Sequence, residues 1–504
     1  MVKSQVKWGA LLSYALIIIN ACYGFLVTPY ILSAIGTAEY GVYKTITSLT
    51  SSLMILDLGL GGTVMRYVAK YKSDGRVDKI NSFISMALGE GTIIITALAV
   101  ISGVIYLLIP RIYATGLEAT EIALAEKLYV YLAISMVFHI IENIFNGIIS
   151  GHNKFIFANG MKLLRILVRI ASIFVIFNFI KSAVVLVIID LVLTVTLLIA
   201  EVIYVRLKLK VSVRLSFKNW DKAVFSESFK YTMLLFLTTI AAQINNNLDN
   251  VVIGAIKGAS FVAVYSMGLL IFGMFEQLST AISGVMLPTV TDIISRPDGS
   301  REVQKTIIGV GRIQFMLLGA ALTGFAVIGK DFIQLWLGDG YEDVYIITLI
   351  LMAPALLELC VNVCLSVLRA KNMLGFRTAV LTSATVLNGV ITIIGVKLWG
   401  YFAAAIGTSV SFIIGSLVIM NIYYCKKLSF NMIKIYLGIF KGTWLCLVVA
   451  GAVLALVSAY TPFGWLGFIL DVGAFGAVYA LAMLIFGLNK EEKRMIPFIK
   501  RFIK

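Results

Sequence analysis

The sequence predicts an all-α protein that crosses a membrane about fourteen times, and three observations support this fold class. First, 60% of the 504 residues are hydrophobic, 13% are charged and the mean hydropathy is +0.97. Soluble domains carry about 25% charged residues, so most of this chain requires lipid as its solvent. Second, apolar stretches long enough to span a bilayer recur from end to end. Third, lysine and arginine are concentrated in alternate links between these stretches.

The predicted spans are apolar stretches of about 20 to 28 residues, long enough to cross a hydrocarbon core of about 30 Å. They cover residues 10–35, 41–66, 82–109, 126–149, 160–180, 182–205, 229–256, 261–288, 306–329, 344–368, 375–396, 401–424, 436–459 and 463–488. The first stretch follows a basic N-terminus but is too long for the apolar part of a signal peptide. It is therefore predicted to be a retained helix.

The distribution of lysine and arginine predicts the orientation of the chain. With the N-terminus in the cytoplasm, most of the 42 Lys and Arg residues fall at the two termini and in the even-numbered links. The positive-inside rule assigns such links to the cytoplasm, so both termini are predicted to be cytoplasmic. The net charge of +16 is therefore attributed to topology and to contact with membrane lipids rather than to nucleic-acid binding.

A weak internal repeat divides the predicted helices into two lobes. The segments 38–43 and 260–265 are similar, and each links the first two helices of a lobe. Both lobes begin on the cytoplasmic side, so the repeat is parallel. The predicted domains are a lobe of helices 1–6, an amphipathic cytoplasmic linker with period-two alternation, a lobe of helices 7–12, and two further helices with a basic tail. Their boundaries are 1–205, 206–228, 229–425 and 426–504.

Residue patterns typical of catalysis or cofactor binding are not found in the sequence. The five cysteines are scattered through apolar segments and predict neither disulfides nor a zinc site. His139 and Glu142 lie one helical turn apart, but a metal would need further ligands, and the alternative is a buried hydrogen-bonded pair. The run Gly59–Thr63 lacks the Gly-Lys-Ser/Thr of a phosphate loop and is predicted to pack helices closely. We therefore expect no catalytic residue, metal or cofactor, and a protein that is not an enzyme.

Polar and ionisable residues inside the spans are the candidate functional residues, because placing them in a bilayer is costly. The carboxyl groups predicted to couple transport to an ion are Asp57, Glu142, Glu276 and Glu358. The seventh span contains an unusually polar run that includes Gln243, Asn245 and Asn246. Together these residues predict a hydrophilic cavity, although each has the alternative role of joining helices. Asp190 lies nearer the outer end of its span and is a weaker candidate.

The segment from residue 29 to residue 75 resembles the N-terminal signature of Wzx-type polysaccharide flippases. The residues that carry this resemblance are Ser33–Gly36, Glu39–Tyr43, Leu56–Leu60 and Arg66–Tyr71. These flippases belong to the superfamily that also contains the multidrug MATE exporters and the lipid II flippases. The length, the predicted helix number and the two lobes agree with the resemblance over the whole chain.

The resemblance implies that the protein moves an oligosaccharide linked to undecaprenyl diphosphate from the inner to the outer leaflet of the bacterial cytoplasmic membrane by alternating access. The polysaccharide polymerase machinery is then a candidate partner. Because no ATP site is evident, the energy is expected from a gradient of H⁺ or Na⁺ or from the substrate gradient itself. The cavity of such flippases is typically cationic, since the substrate carries a diphosphate. The corresponding substrate-binding candidates are Lys44, Arg66, Arg165, Arg169 and Arg312, with the amides Gln243, Asn245 and Asn246.

Two other classes of protein remain as alternatives. A MATE-like exporter of small organic cations is favoured by the intramembrane carboxyl groups, although that branch usually ends after twelve helices. A membrane enzyme such as a sugar polymerase or ligase is disfavoured because the predicted external links are short, and such enzymes tend to carry catalytic groups on large external loops.

Overall fold

The structure is a computed structural model in which all regular secondary structure of the described residues is helical, which confirms the predicted all-α class. The described residues are 2–57, 59–211, 247–296, 299–489 and 492–493. The chain forms two compact units, Met1–Ala263 and Val264–Lys504. Of the predicted amphipathic linker, only its first residues are described, and the remainder lies outside the described part of the chain.

The first unit is built mainly from long apolar helices. They are α1 (Val2–Cys22), α2 (Thr28–Ile35), α3 (Thr37–Leu53), α4 (Leu60–Ser73), α5 (Val77–Ile112), α6 (Ala119–Gly151), α7 (Phe155–Ile176), α8 (Ala183–Leu207) and α9 (Asn247–Ile256). A π-helical turn, Tyr23–Val27, joins α1 to α2. The next helix, α10 (Ala259–Ser283), begins in the first unit and continues into the second.

The second unit continues with several helices that are broken or bent. They are α11 (Leu287–Ile294), α12 (Gly299–Leu337), α13 (Glu342–Leu359), α14 (Val363–Ala370), α15 (Leu374–Trp399), α16 (Phe402–Phe412), α17 (Met420–Leu428), α18 (Met432–Phe440), α19 (Thr443–Ser458) and α20 (Trp465–Ala482). The π-helical segments Ile413–Ile419 and Met483–Gly487 extend α16 and α20.

Ten helical stretches of the described chain are long and apolar enough to cross a membrane, or twelve if each of two bent pairs is one span. The bent pairs are α13 with α14, at 49°, and α18 with α19, at 44°. Helix α7 is not among these stretches, and it carries three basic residues: Lys162, Arg165 and Arg169. Helix α9 is the end of a predicted span whose first part lies outside the described residues. The predicted number of about fourteen spans therefore stays a prediction.

The second predicted span, 41–66, consists of two helices rather than one. Helix α3 ends at Leu53, Met54–Asp57 form a 3₁₀ turn, and Gly59 has the left-handed φ of +69°. Glycine adopts this conformation without a steric penalty, and the right-handed helix cannot continue through it. Irregular backbone at membrane depth is tolerated where it is buried in protein or lines a water-filled cavity. The break therefore sets Asp57 at the edge of an interior cavity.

Close packing of α4 against α6 depends on glycine. A Cβ atom added to Gly147 would lie 2.5 Å from the carbonyl oxygen of Gly61, and one added to Gly61 would lie 2.8 Å from that of Asn143. Small residues allow helix backbones to approach this closely. The structure thus confirms that the glycine run 59–63 contributes to helix packing. The surrounding core is formed by buried residues such as Leu60, Ile84 and others from α4, α5, α6 and α8.

The motif 39–43 connects α3 to two other helices of the first unit. The Glu39 carboxylate accepts hydrogen bonds from the Ser182 hydroxyl, at 2.9 Å, and from the Ala183 N–H, at 2.6 Å, so it satisfies a donor at the start of α8. A Cβ atom on Gly41 would lie 1.8 Å from the carbonyl oxygen of Ala259. This motif therefore fixes the position of α3, the helix that carries Tyr43 into the candidate site.

Candidate functional site: a cavity with two arginines in the first unit

Helix α7 brings two arginines to one cavity in the first unit. Arg165 and Arg169 are one helical turn apart and therefore share a face of α7. They line a cavity of about 710 Å³ together with residues of α3, α6, α8 and α9. The polar side chains contributed by these other helices include Tyr43, Thr47, His139, Asp190, Thr194 and Asn247.

Arg169 is held by Asp190 of α8 in a two-point ion pair. Its Nε lies 2.6 Å from Asp190 Oδ1, and its Nη2 donates a hydrogen bond of 2.8 Å to Asp190 Oδ2. The same Nη2 donates a longer bond of 3.5 Å to the Tyr43 hydroxyl. The guanidinium lies 4.9 Å from the centre of the Tyr23 ring, within the range of a cation–π contact. The side chains of Arg169 and Asp190 are 21% and 23% exposed, so the pair is partly accessible from the cavity.

Arg165 is held more loosely. Its Nη1 lies 3.5 Å from Glu142 Oε2, and its Nη2 donates a hydrogen bond of 2.8 Å to the Thr194 hydroxyl. The Thr194 hydroxyl in turn donates to the carbonyl oxygen of Asp190, one helical turn earlier. Glu142 also lies 3.0 Å from His139 Nδ1 and is 4% exposed. His139 and Glu142 thus form the hydrogen-bonded pair that was the alternative to a metal site, and no group of metal ligands is found among the described residues.

The arrangement is a set of guanidinium groups paired with carboxylates. Arg165 and Arg169 carry positive charge, and their partners Glu142 and Asp190 carry negative charge when ionised. Guanidinium groups bind phosphate or carboxylate through two parallel N–H bonds. The cavity therefore contains the donors that a diphosphate requires, but internal carboxylates already occupy part of them.

Lys44 and Arg66 are the other predicted cations of the first unit. Lys44 is half-buried on α3, with its ammonium nitrogen 5.5 Å from the centre of the Tyr40 ring. Arg66 is exposed on α4. Neither residue lines the cavity with Arg165 and Arg169. The predicted amides Gln243, Asn245 and Asn246 lie outside the described residues.

Arg312 belongs to the second unit, where its side chain is buried and bonded to other parts of the protein. It is 2% exposed, and its Nε and Nη2 bond to Glu492 at 2.6 and 3.1 Å. Its remaining donors bond to the carbonyl oxygens of Gly438, Lys441 and Gly487, at 3.2, 2.7 and 2.8 Å. A guanidinium has five N–H donors, and these bonds occupy all of them. The structure therefore places Arg312 at the junction of α12 with the last helices, and we leave it out of the proposed substrate site.

The predicted ion-coupling carboxyl groups are distributed over both units. Asp57 lines a second cavity of about 240 Å³ with Asn143, whose amide donates a 3.3 Å hydrogen bond to Asp57 Oδ2. Asp57 Oδ1 is buried and has no hydrogen-bond partner among the described residues. Glu142 contacts Arg165 and His139, which line the arginine cavity. Glu276 is half-buried on α10, and Glu358 lines a narrow crevice in the second unit with Arg377.

Several residues of the site were not assigned to it by the sequence analysis. Asp190 was rated weaker because of its depth, although an acidic residue in an apolar span was a signal. Thr194 and Tyr43 carry no charge and gave no comparable signal. Glu201 of α8, which does not line this cavity, is fully buried, accepts a 3.0 Å hydrogen bond from the amide of Asn146 and was also not predicted.

Solved structures show which class of fold this is. The lipid II flippase MurJ in its inward closed conformation superimposes with a TM-score of 0.73 at 16% identity, over 98% of this chain and 99% of that one. An inward-facing MATE-family multidrug transporter of the MOP superfamily gives a TM-score of 0.62 at 14% identity, over 82% and 94% of the two chains. The chain therefore has the MurJ- and MATE-like fold of multi-pass membrane transporters.

The sequence comparison identifies the family within this class. Residues 7–294 match the family described as "Polysaccharide biosynthesis protein", and the chain belongs to that family. The "Putative O-antigen transporter" of Shigella flexneri is 24% identical over 323 residues, which are 62% of this chain and 72% of the relative. The "Probable flippase AglR" of Haloferax volcanii is 23% identical over 212 residues, 41% of this chain and 44% of the relative. The resemblance to Wzx-type flippases is thus confirmed.

Proposed function

We propose that this protein moves an oligosaccharide linked to undecaprenyl diphosphate from the inner to the outer leaflet of the bacterial cytoplasmic membrane, for the synthesis of a surface polysaccharide. The observation that carries the proposal is the pair of arginines, Arg165 and Arg169, facing one cavity of a polysaccharide-biosynthesis membrane protein. The relatives named as an O-antigen transporter and a flippase support the same substrate class.

The chemistry of the cavity fits the head group of such a lipid. A diphosphate that leaves water for a membrane interior loses its hydration, and only fixed positive charges and N–H donors compensate for that loss. Arg165 and Arg169 supply both on one helix face. The cavity of about 710 Å³ is of the size that holds small ligands, and it has room for a head group and the first sugars. Alternating access of this cavity to the two sides is the proposed transport cycle.

Coupling to H⁺ or Na⁺ is part of the proposal. The candidate coupling residues remain Asp57, Glu142, Glu276 and Glu358. The unpartnered oxygen of Asp57 beside the helix break supports a role for that residue, because an ionised carboxylate in a membrane span is costly without a cation. We further propose that both termini are cytoplasmic, that the polysaccharide polymerase machinery receives the product, and that the protein performs no covalent chemistry.

A MATE-like export of small organic cations is the second candidate function. It is favoured by two acidic residues, Asp190, which lines the cavity, and Glu142, which contacts Arg165. In this structure, however, both carboxylates contact arginines, which repel a cationic substrate. The two candidates therefore differ in the charge of the ligand that the cavity prefers.

A strain that lacks this protein tests the proposed function. Spheroplasts are treated with a membrane-impermeant reagent that labels the sugar of the lipid-linked repeat unit. We expect the precursor to accumulate and to stay protected from the reagent without the protein, and to become accessible when the protein is restored. Equal labelling in both strains, with a new sensitivity to cationic dyes, would instead support the exporter.

A further inference from the structure

Asp190 contacts the same N–H donors of Arg169 that a phosphate group would use. Asp190 contacts Arg169 through both carboxylate oxygens, at Nε and at Nη2. These two donors lie on one edge of the guanidinium, the edge that forms two parallel bonds with a phosphate or carboxylate. A diphosphate therefore cannot bind Arg169 in this way while Asp190 stays in place.

Charge balance decides what happens to the displaced carboxylate. In this structure, each arginine is paired with one acidic partner. A diphosphate that enters adds negative charge, and two free carboxylates beside it would leave that charge uncompensated in a medium where charges interact strongly. Uptake of a proton by the displaced carboxylate removes one of these negative charges. The 23% exposure of Asp190 gives this proton a path from the water in the cavity.

We propose that Asp190 is an exchangeable placeholder on Arg169, and that the diphosphate of the substrate replaces it while the Asp190 carboxylate takes up one proton. The Nη2–H···O bond and the Nε···Oδ1 ion-pair contact to the carboxylate break, and two N–H···O bonds to phosphate oxygens form. When the substrate leaves, the ion pair forms again and the proton returns to water. The proposal rests on the proposed function of the cavity and assigns it a proton-linked binding step.

Glu142 is less suited to the same exchange. It is 4% exposed, and it is shared between Arg165, at 3.5 Å, and His139, at 3.0 Å. Displacing it would break two contacts at a carboxylate that water hardly reaches. Glu142 therefore stays in place and orients Arg165, while Asp190 exchanges.

Other titratable groups face the pair from every helix packed around it. They are Tyr23 and Tyr43 beside the guanidinium, Lys44 on α3, His139 and Glu142 on α6, and Arg165 on α7. A variant of Asp190 alone removes one titratable group from this set and keeps all the others. Comparison with that variant therefore isolates the contribution of Asp190.

The test uses the full-length protein in lipid nanodiscs and geranyl diphosphate as the probe. Calorimetric titrations at pH 7.5, in buffers that differ in ionisation enthalpy, give both the affinity and the number of protons taken up. Asp190→Asn and Asp190→Ser remove the competing charge. Glu90→Gln is the matched control, because Glu90 is an intramembrane acid of the same unit that does not line this cavity. Size-exclusion profiles and melting curves establish that each variant is folded.

We expect Asp190→Asn and Asp190→Ser to bind the probe about tenfold more tightly than the wild type, the equivalent of removing a competing contact of about 1.4 kcal/mol. The number of protons taken up should fall by about one, as linkage requires of a group whose protonation no longer changes. Glu90→Gln should match the wild type in both quantities. Weaker binding by the Asp190 variants, or unchanged proton uptake, would overturn the exchange and make Asp190 a residue that only positions Arg169.

Failure of the proposed function gives a different result. Then the wild type does not bind geranyl diphosphate, or Arg165→Gln with Arg169→Gln binds it as well as the wild type does. In both cases the exchange is overturned together with the diphosphate site. Binding that depends on the arginines but not on Asp190 leaves the site standing and removes only the exchange.

Discussion

At the scale of single residues, the function proposed here depends on the difference between arginine and lysine. Arg169 makes two contacts to Asp190, and it also contacts the Tyr43 hydroxyl and the face of the Tyr23 ring. A lysine ammonium is a point charge on a flexible stem and cannot reproduce this planar arrangement. A residue that only anchors a helix at the membrane surface would tolerate the exchange.

Arg169→Lys should therefore reduce polysaccharide export about ten- to hundredfold, because a hydrogen bond to a charged group contributes about 1.5–3 kcal/mol. The measurement is surface polysaccharide in a strain that relies on the variant, normalised to the amount of protein in the membrane. Arg76→Lys is the matched control, since Arg76 is exposed in the link between α4 and α5, and it should export normally. Normal export by Arg169→Lys would assign Arg169 to anchoring.

The sequence predicted part of this site. Arg165 and Arg169 were predicted because two charges four residues apart in an apolar span are costly unless both face an interior cavity. Their partners were not predicted, since the contact of α7 with α8 is set by packing and leaves no linear pattern. Asp190 was recognisable in the sequence as an ionisable residue within a span. Thr194 and Tyr43, in contrast, do not differ from ordinary polar residues that form hydrogen bonds between helices.

At the scale of helices, hydropathy predicted the spans but not their breaks. A window of apolar residues averages over Gly59, whose left-handed conformation ends the helix and separates α3 from α4. The break between α13 and α14 was also missed, because the same averaging conceals it. In contrast, close helix packing at the glycine run was predicted, because small residues directly determine how near two backbones come.

Arg312 links α12 to the last helices of the second unit through hydrogen bonds. Each carbonyl oxygen it reaches, at Gly438, Lys441 and Gly487, lies at or near the end of a helical segment where no intrahelical donor remains. Glu492 completes the set. Partial burial raises the pKa of the Glu492 carboxyl, but hydrogen bonds from Arg312 and from the Asn489 N–H outweigh it and hold that pKa below its ordinary value.

We therefore expect Arg312→Met to lower the melting temperature of the purified protein markedly, since removing one member of a buried ion pair costs about 3–5 kcal/mol. The contribution of Glu492 is present above its unfolded-state pKa and is lost as pH falls through its depressed native pKa. The wild type should thus lose stability on acidification, and Glu492→Gln should lose less. Identical melting curves for Arg312→Met and wild type, at neutral and at acidic pH, would show that this junction is not stabilising.

At the scale of the whole molecule, composition and charge predicted a multi-pass membrane protein, and the helices, the fold and the family agree with it. The number of spans was harder to predict, because α7 is a long apolar helix that carries three basic residues. Two of these basic residues, Arg165 and Arg169, line the candidate site. The charges that set α7 apart from the other apolar helices therefore include the two on which the proposed function rests.

The most direct measurement is transport by the purified protein in liposomes that contain a lipid-linked oligosaccharide. Sugar exposed on the outer leaflet is followed with an impermeant glycosidase. We predict that the wild type brings the inner-leaflet pool to the outer surface, whereas Arg165→Gln with Arg169→Gln leaves only the original outer pool cleaved. Glu90→Gln should behave as the wild type. Transport by the double variant at the wild-type rate, or no transport by the wild type beyond that of protein-free vesicles, would contradict the account.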